Sequence, residues 1–340
     1  MTARLALPMS ATLSTARVSE VAGDAVRLEE LGYRGLWVGE GRLRRDAVTQ
    51  LALAASATRH CYLSSGIVPF RTRNVAVLAM TWKTLHQLAP GRVRLGLGAW
   101  WEPIASRAGV HTASPLTAME EVVAVLRTLF AGGTATCHGK YVDVEEIRFD
   151  GVEDEAGATY PVPVYLAAVG PRMLELAARI ADGVLLDFFL PAGYLSRTAP
   201  GALTARQSSP APLDMPQLVA CAVDDDDPGA AVNAMRVVLT RYLVQQPHIA
   251  AHSGADPELV TRLRRTLGWP ATTGELREAA RLVPIGLVRE VAAVGTVRDV
   301  LSAMEERIAA GASEIVVAPF GDRRTETFEA LARRTAVRPN

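Results

Sequence analysis

The run Leu31-Gly32-Tyr33-Arg34-Gly35-Leu36-Trp37-Val38-Gly39-Glu40 decides the fold. It holds the end of a helix, a strand that is apolar on both faces, and a carboxylate where the strand stops. Upstream, Val18, Val21, Ala22, Ala25, Leu28 and Leu31 recur at the spacing of a helix buried along one face. Gly32 stands where such a helix ends. The stretch 35–39 has no polar alternation, and strands of that kind lie in parallel sheets covered on both sides. Helix, glycine and apolar strand together form one unit of a β/α alternation.

The unit repeats outward in both directions. Residues 4–8 read as a first strand. Residues 62–68 predict a third strand and 74–88 a helix; 92–98 predict a fourth strand and 116–130 a helix. Residues 162–167 predict a fifth strand, followed by a helix over 171–180 with proline in its first turn. Residues 183–187, 216–223 and 314–318 complete eight strands, and 325–335 predict a last helix. Eight strands separated by helices favour an α/β fold of the closed (β/α)8 (TIM) barrel type over an open doubly wound sheet. Three stretches break the rhythm. Residues 132–147 read as a β-hairpin inserted after the fourth helix, 191–216 as a loop or lid, and 229–311 as helices inserted between strands seven and eight. No composition shift divides the chain, so one barrel domain over residues 1–340 is expected.

Bulk composition narrows the function classes. Of 340 residues, 49% are apolar and 21% charged, a balance that excludes a disordered chain. Thirty-six basic residues match 36 acidic ones, so nucleic acid is not an expected partner. No apolar run approaches a bilayer span and no signal-peptide pattern opens the chain, so a cytoplasmic protein without membrane contact is expected. Cys61, Cys137 and Cys221 form no disulfide framework.

In such a barrel the chemistry lies in the loops after the strands. These loops carry Glu40-Gly41-Arg42, Val68-Pro69-Phe70-Arg71, Ala99-Trp100-Trp101-Glu102, Ala168-Val169-Gly170-Pro171-Arg172 and Asp187-Phe188-Phe189. The turn after strand five reads either as ordinary βα punctuation or as a phosphate site. In the second reading Gly170 admits a ligand to the backbone, Pro171 opens a helix whose free N–H groups face the turn, and Arg172 adds charge. Adjacent tryptophans on an extended segment point opposite ways, so one of Trp100 and Trp101 could face the pocket and the other the helical shell. Glu102, beside that apolar bulk, is a candidate general acid. Glu40 is either a solvated loop carboxylate or a hydrogen-bond acceptor at the pocket floor. The glycine in Ser64-Ser65-Gly66-Ile67 suggests a bulge or a close approach to a ligand.

Other patterns carry less. His248 and His252 share a helical spacing but lack a third ligand, so no metal site is expected. Asp224 to Asp227 lacks the pattern of a calcium loop. Gly96-Leu97-Gly98 does not complete G-x-G-x-x-G, because Trp101 takes the last glycine's place.

The quoted run, Leu63-Ser64-Ser65-Gly66-Ile67-Val68-Pro69, Gly91 to Gly98, and residues 165–186 with Gly170-Pro171-Arg172-Met173 together resemble the luciferase-like oxidoreductase family. The segments Gly98-Ala99-Trp100-Trp101-Glu102-Pro103 and Gln245-Gln246-Pro247-His248-Ile249 resemble its coenzyme F420-dependent, methylenetetrahydromethanopterin reductase-like branch. The resemblance implies a deazaflavin, coenzyme F420, at the strand ends. Glu40, Ser65, Gly66, Ile67, Gly98, Ala99, Trp100, Val169, Gly170, Pro171 and Arg172 are the expected binding residues. It also implies a cis peptide at Gly66-Ile67, forming a bulge that supports one face of the ring, and the coenzyme's phosphate at Gly170. Many relatives have Asp-His where this chain has Glu40-Gly41, so the proton donor must come from elsewhere, with Glu40, Glu102 and His248 as catalytic candidates. The expected activity is hydride transfer to an electron-poor C=C, C=N or C=O bond of a small molecule, natural product or modified peptide, by a homodimer. Two other functions suit the same barrel: an FMN-dependent monooxygenase, and a non-catalytic ligand-binding barrel.

Overall fold

The computed structural model describes residues 4–14, 17–41, 43–111, 113–150, 158–206, 212–268 and 270–337. Ten parallel strands lie in one curled sheet among the described residues; eight form the frame, β1 Met9–Thr12, β2 Gly35–Val38, β3 Tyr62–Ser65, β4 Val93–Gly98, β5 Val164–Ala167, β6 Gly183–Leu185, β7 Pro216–Val223 and β8 Glu314–Pro319, and the short Val68–Pro69 and Ala293–Gly295 pair with β4 and β7. The order of the eight in the sheet is their order in the chain, with β8 pairing β1 through Ile315 and Met9. Isolated parallel bridges, Gly183 to Asp214 and Leu186 to Gln217, join β6 to the start of β7, so the sheet returns on itself. The helices after the strands include Val21–Glu30, Ala47–Ala57, Val75–Leu88, Pro115–Phe130, Pro171–Ile180 and Arg324–Thr335. Local chemistry sets their starts: Asp46 accepts from Thr49 N at 2.6 Å and Asn74 from Ala76 N at 2.8 Å.

The first strand departs from expectation. Arg4–Leu5 forms only a two-residue antiparallel pair with Ala336–Val337, and the barrel strand is Met9–Thr12. The apolar run at 5–7 is the more obvious strand signal. The true strand turns small polar side chains, Ser10 and Thr12, inward. The loop expected over 191–216 is also corrected. A helix, Ala192–Ala205, crosses it in spite of Pro200, burying Tyr194, Leu195 and Ala199 beside the helix Pro171–Ile180. Residues 207–211 of that stretch lie outside the described residues.

Alternate residues of each strand fill the barrel. Trp37, Tyr165, Leu185, Leu218 and Val316 form the inner apolar layer. Outward-facing Leu36, Leu63, Leu95, Val164 and Val317 join the larger core under the helices. At the N-terminal end of the strands a polar cluster closes the barrel. Tyr62 Oη donates to Glu314 Oε2 at 2.5 Å, Ser10 bonds the same carboxylate, and Arg94 lies over the Tyr62 ring at 3.5 Å. Burial pushes the Glu314 carboxyl above the usual range, opposed by the Ser10 and Tyr62 hydrogen bonds.

An antiparallel hairpin, Ala135–His138 with Asp143–Ile147, follows the helix Pro115–Phe130, and Glu121 of that helix accepts from the N–H groups of Lys140, Tyr141 and Val142 in its turn. Between β7 and β8, helices Pro228–Gln245, Pro247–His252, Pro257–Thr266, Thr273–Ala280 and Ile285–Val291 enclose a second apolar cluster around Met235, Leu239, Leu243 and Leu263. The acidic run before them is structural. Asp224 pairs with Arg323 at 2.8 Å, Asp225 accepts from Val297 N at 2.8 Å, and Asp227 caps the first helix. No helix among the described residues is long and apolar enough to cross a membrane.

Candidate active site at the strand ends

A cavity of about 580 Å³ opens where the barrel strands end. Its floor is the inner apolar layer, with Trp37, Ile67, Leu185 and Leu218 exposed to it, and its walls are the strand-end loops and the inserted helices. A smaller groove of about 320 Å³ beside the hairpin lies outside the barrel mouth.

Gly66 and Ile67 project into the cavity at the end of β3, and the peptide between them is cis. Gly66 N donates to Val38 O at 2.8 Å and Glu40 N to Ile67 O at 3.0 Å, so β2 holds the bulge from one side. From the other side β4 does so with glycines. A Cβ on Gly96 would stand 2.0 Å from the Ser65 carbonyl oxygen, and one on Gly98 2.6 Å from Ile67 Cδ1. Only glycine permits that approach. Ser65 does not line the cavity. Its buried hydroxyl pins the bulge, donating to Gly96 O and accepting from Gly96 N, both at 2.8 Å.

At the end of β4, Gly98, Ala99, Trp100 and Trp101 all line the cavity. The expected alternation of the tryptophans fails because Trp100 is not extended. Its φ of 55° puts it in the left-handed region, which turns both indoles to the same side. Glu102 is corrected out of the site. It is exposed, lies off the cavity, and caps the helix Ile104–Arg107 by accepting from Ser106 N at 3.2 Å and Ser106 Oγ at 2.5 Å.

After β5, Val169, Gly170 and Met173 line the cavity, while Pro171 and Arg172 are exposed and do not line it. The Tyr194 hydroxyl donates to the Val169 carbonyl and fixes the turn. A Cβ on Gly170 would touch nothing within 4 Å, so the space above this helix N-terminus is open to a ligand. No side chain caps that N-terminus.

Glu40 lines the cavity but is already engaged. Its carboxylate takes both guanidinium nitrogens of Arg73, at 2.9 and 2.6 Å, and accepts from Ala47 N at 2.9 Å. Those bonds tie the carboxylate to the start of the helix Ala47–Ala57. His248, on the inserted helix Pro247–His252, also lines the cavity, with Nε2 3.3 Å from Asp187 Oδ2. His252 turns instead to the Tyr194 ring. Asp187 is visible in the sequence as the residue after an apolar strand, yet nothing there shows that a histidine 61 residues later meets it. The sequence reading also missed Arg44, Arg241, Arg324 and Tyr242 on the rim. Of the cysteines, Cys61 and Cys221 are buried thiols that burial pushes up to about 12, which makes them unreactive.

The fold and the site define an α/β barrel with one pocket at the carboxyl ends of its strands. The chain belongs to the luciferase-like monooxygenase family, whose sequence model matches residues 4–314. It is 26% identical to 5,10-methylenetetrahydromethanopterin reductase of Methanolobus tindarius, over 93% of this chain and 95% of that protein. The coenzyme F420-dependent tetrahydromethanopterin reductase of Methanopyrus kandleri superposes with a TM-score of 0.81 at 21% identity, covering 97% of this chain and 98% of that one. An F420-dependent secondary alcohol dehydrogenase, solved with an F420-acetone adduct, superposes with a TM-score of 0.75 at 20% identity, covering 98% of both chains. The two structural likenesses show the same fold.

Proposed function

We propose that the protein is a coenzyme F420-dependent oxidoreductase that reduces an electron-poor C=C, C=N or C=O bond of a small molecule or modified peptide. The observation that carries this reading is the bulge at Gly66-Ile67, set into the pocket by two glycines of β4 and sharing that pocket with an open helix N-terminus at Gly170. The cavity fits a flat ring with an anionic tail. Ile67 and Gly98 offer an apolar backing, Ala99 and Trp100 an edge, and Val169 and Gly170 a turn open to phosphate. The reduced deazaflavin, when bound, supplies the hydride.

The chain's own part is to orient, to exclude water and to hold a proton. Trp37, Trp100, Trp101, Phe188 and Tyr242 make the reaction space apolar. His248 presents a ring nitrogen there, and Asp187 beside its Nε2 holds the ring by hydrogen bonding. His248 is therefore the proposed acid, with Asp187 as its positioning residue. Glu40 acts through Arg73 and Ala47, fixing the loop after β2.

Titration followed by tryptophan fluorescence tests the reading, because Trp37, Trp100 and Trp101 line the site. The deazaflavin is expected to quench it at micromolar concentration and FMN only weakly; the reverse order would transfer the protein to FMN chemistry. Gly170→Trp fills the open turn and is expected to abolish coenzyme binding while the far-ultraviolet circular dichroism stays unchanged. Retained affinity would refute the phosphate placement.

A further inference from the structure

The rim of the mouth is electrically lopsided although the chain as a whole carries no net charge. Arg44 follows β2, Arg324 opens the helix after β8, and Arg241 comes from the helix Pro228–Gln245, and all three line the cavity. Strands β8, β1 and β2 are consecutive in the sheet, so Arg44 and Arg324 share the wall opposite Val169 and Gly170. The carboxylates lining the cavity are Glu40, held by Arg73, and Asp187, beside His248. Among the described residues Arg44, Arg241 and Arg324 form no ion pair.

Arg44 and Arg324 also disfavour each other. Burial, and then the positive charge of Arg44, holds the half-buried Arg324 guanidinium below its usual value, partly opposed by Cys221 and by the Asp24 carboxylate, which does not line the cavity. Like charges turned toward one cavity cost stability unless an anion lies between them. Guanidinium groups match carboxylate and phosphate oxygens with paired hydrogen bonds.

We propose that this wall is a subsite for an anionic group of the substrate, a carboxylate or a phosphate, gripped by Arg44 and Arg324 with Arg241 at its edge. The assignment to the substrate rests on the reading that the coenzyme lies against β3 to β5. The reducible bond then sits between the anion anchor and the bulge, within reach of His248. Neutral substrates of the same shape bind poorly.

Calorimetric titration of the coenzyme-free protein with inorganic pyrophosphate at low ionic strength tests the subsite. The wild type is expected to bind, and Arg44→Gln and Arg324→Gln are each expected to weaken binding about tenfold. Arg44 and Arg241 are exposed, so the double variant Arg44→Gln/Arg241→Gln keeps the test readable if Arg324→Gln fails to fold. Binding of pyrophosphate should persist with the deazaflavin at saturation, and coenzyme affinity should be unchanged in the arginine variants. Three results would each overturn the proposal: no binding by the wild type, equal binding by the arginine variants, or displacement by the coenzyme of the pyrophosphate whose binding the arginine variants weaken. The last would assign the arginines to the coenzyme's own anions. If the wild type binds no deazaflavin, the functional reading fails separately, and the arginine variants still decide the subsite.

Discussion

The two ends of the barrel carry similar charged groups and treat them differently. At the N-terminal end Tyr62 and Ser10 satisfy Glu314, and Arg94 lies over the Tyr62 ring with its Nη1 3.6 Å from Asp214 Oδ2. At the C-terminal end Arg44, Arg241 and Arg324 face a cavity without ion pairs among the described residues. The first arrangement is a plug, whose charges are spent inside the protein. The second leaves its charges available to something that enters. The same chemistry thus reads as stability at one end and as recognition at the other.

Substitutions at the two ends should separate along that line. The largest effect is expected from His248→Ala at the open end, with turnover falling on the order of 100-fold or more and denaturant midpoint unchanged. A variant of wild-type rate would remove His248 from the mechanism. Glu314→Ala breaks the plug by leaving the Tyr62 and Ser10 hydroxyls without their buried acceptor, and should lower unfolding free energy by about 3 kcal/mol in urea titration. Coenzyme affinity in the surviving folded protein should be close to normal; a selective loss of affinity would mean the two ends are coupled. Gly98→Val drives a side chain into Ile67, and a cost of about 1–3 kcal/mol should come with loss of coenzyme binding, since the bulge is where frame and site meet.

The smallest effect concerns Glu29. Burial would raise its carboxyl, but the N–H groups of Cys61, His60 and Arg59 outweigh this and hold it below the ordinary 4.5. Its stabilisation is therefore complete above that value and lost as pH falls through the lowered one. Glu29→Gln should cost about 1 kcal/mol at pH 7, and that cost should fade as pH falls below 4.5 through the lowered value. A cost independent of pH would mean packing, not charge, is what Glu29 supplies.

How much of this was legible in the sequence follows from the range of each signal. The strands with apolar runs, such as Gly35–Val38 and Pro216–Val223, and the glycine-proline turn at 170–171 are local patterns. The first strand lies four to five residues beyond the expected 4–8 because its inward side chains, Ser10 and Thr12, reverse the usual polarity. The helix Ala192–Ala205 was hidden by its composition, and tertiary burial of Tyr194 and Leu195 overrides that. Trp100 was misread because a left-handed residue breaks the alternation on which the reading relied. The pairing of His248 with Asp187 and the gathering of Arg44 with Arg324 depend on barrel closure, and no spacing encodes closure.

The end of β7 has a consequence of its own. Its last three residues pair with a short parallel strand, Ala293–Gly295, and Asp224 N donates to Gly295 O at 2.9 Å. The chain therefore leaves the frame at Val223 and returns to the same spot at Gly295, like two ends of a splice. What lies between packs on the frame through Ala220 and Ala222 of β7 and through Phe189 after β6, while closing a longer excursion between fixed ends costs little more than closing a shorter one. The excursion supplies Arg241, Tyr242, Gln246 and His248 to the pocket roof. A graft of another roof between those two residues would re-specify the pocket only if it kept that apolar seam with Phe189, Ala220 and Ala222.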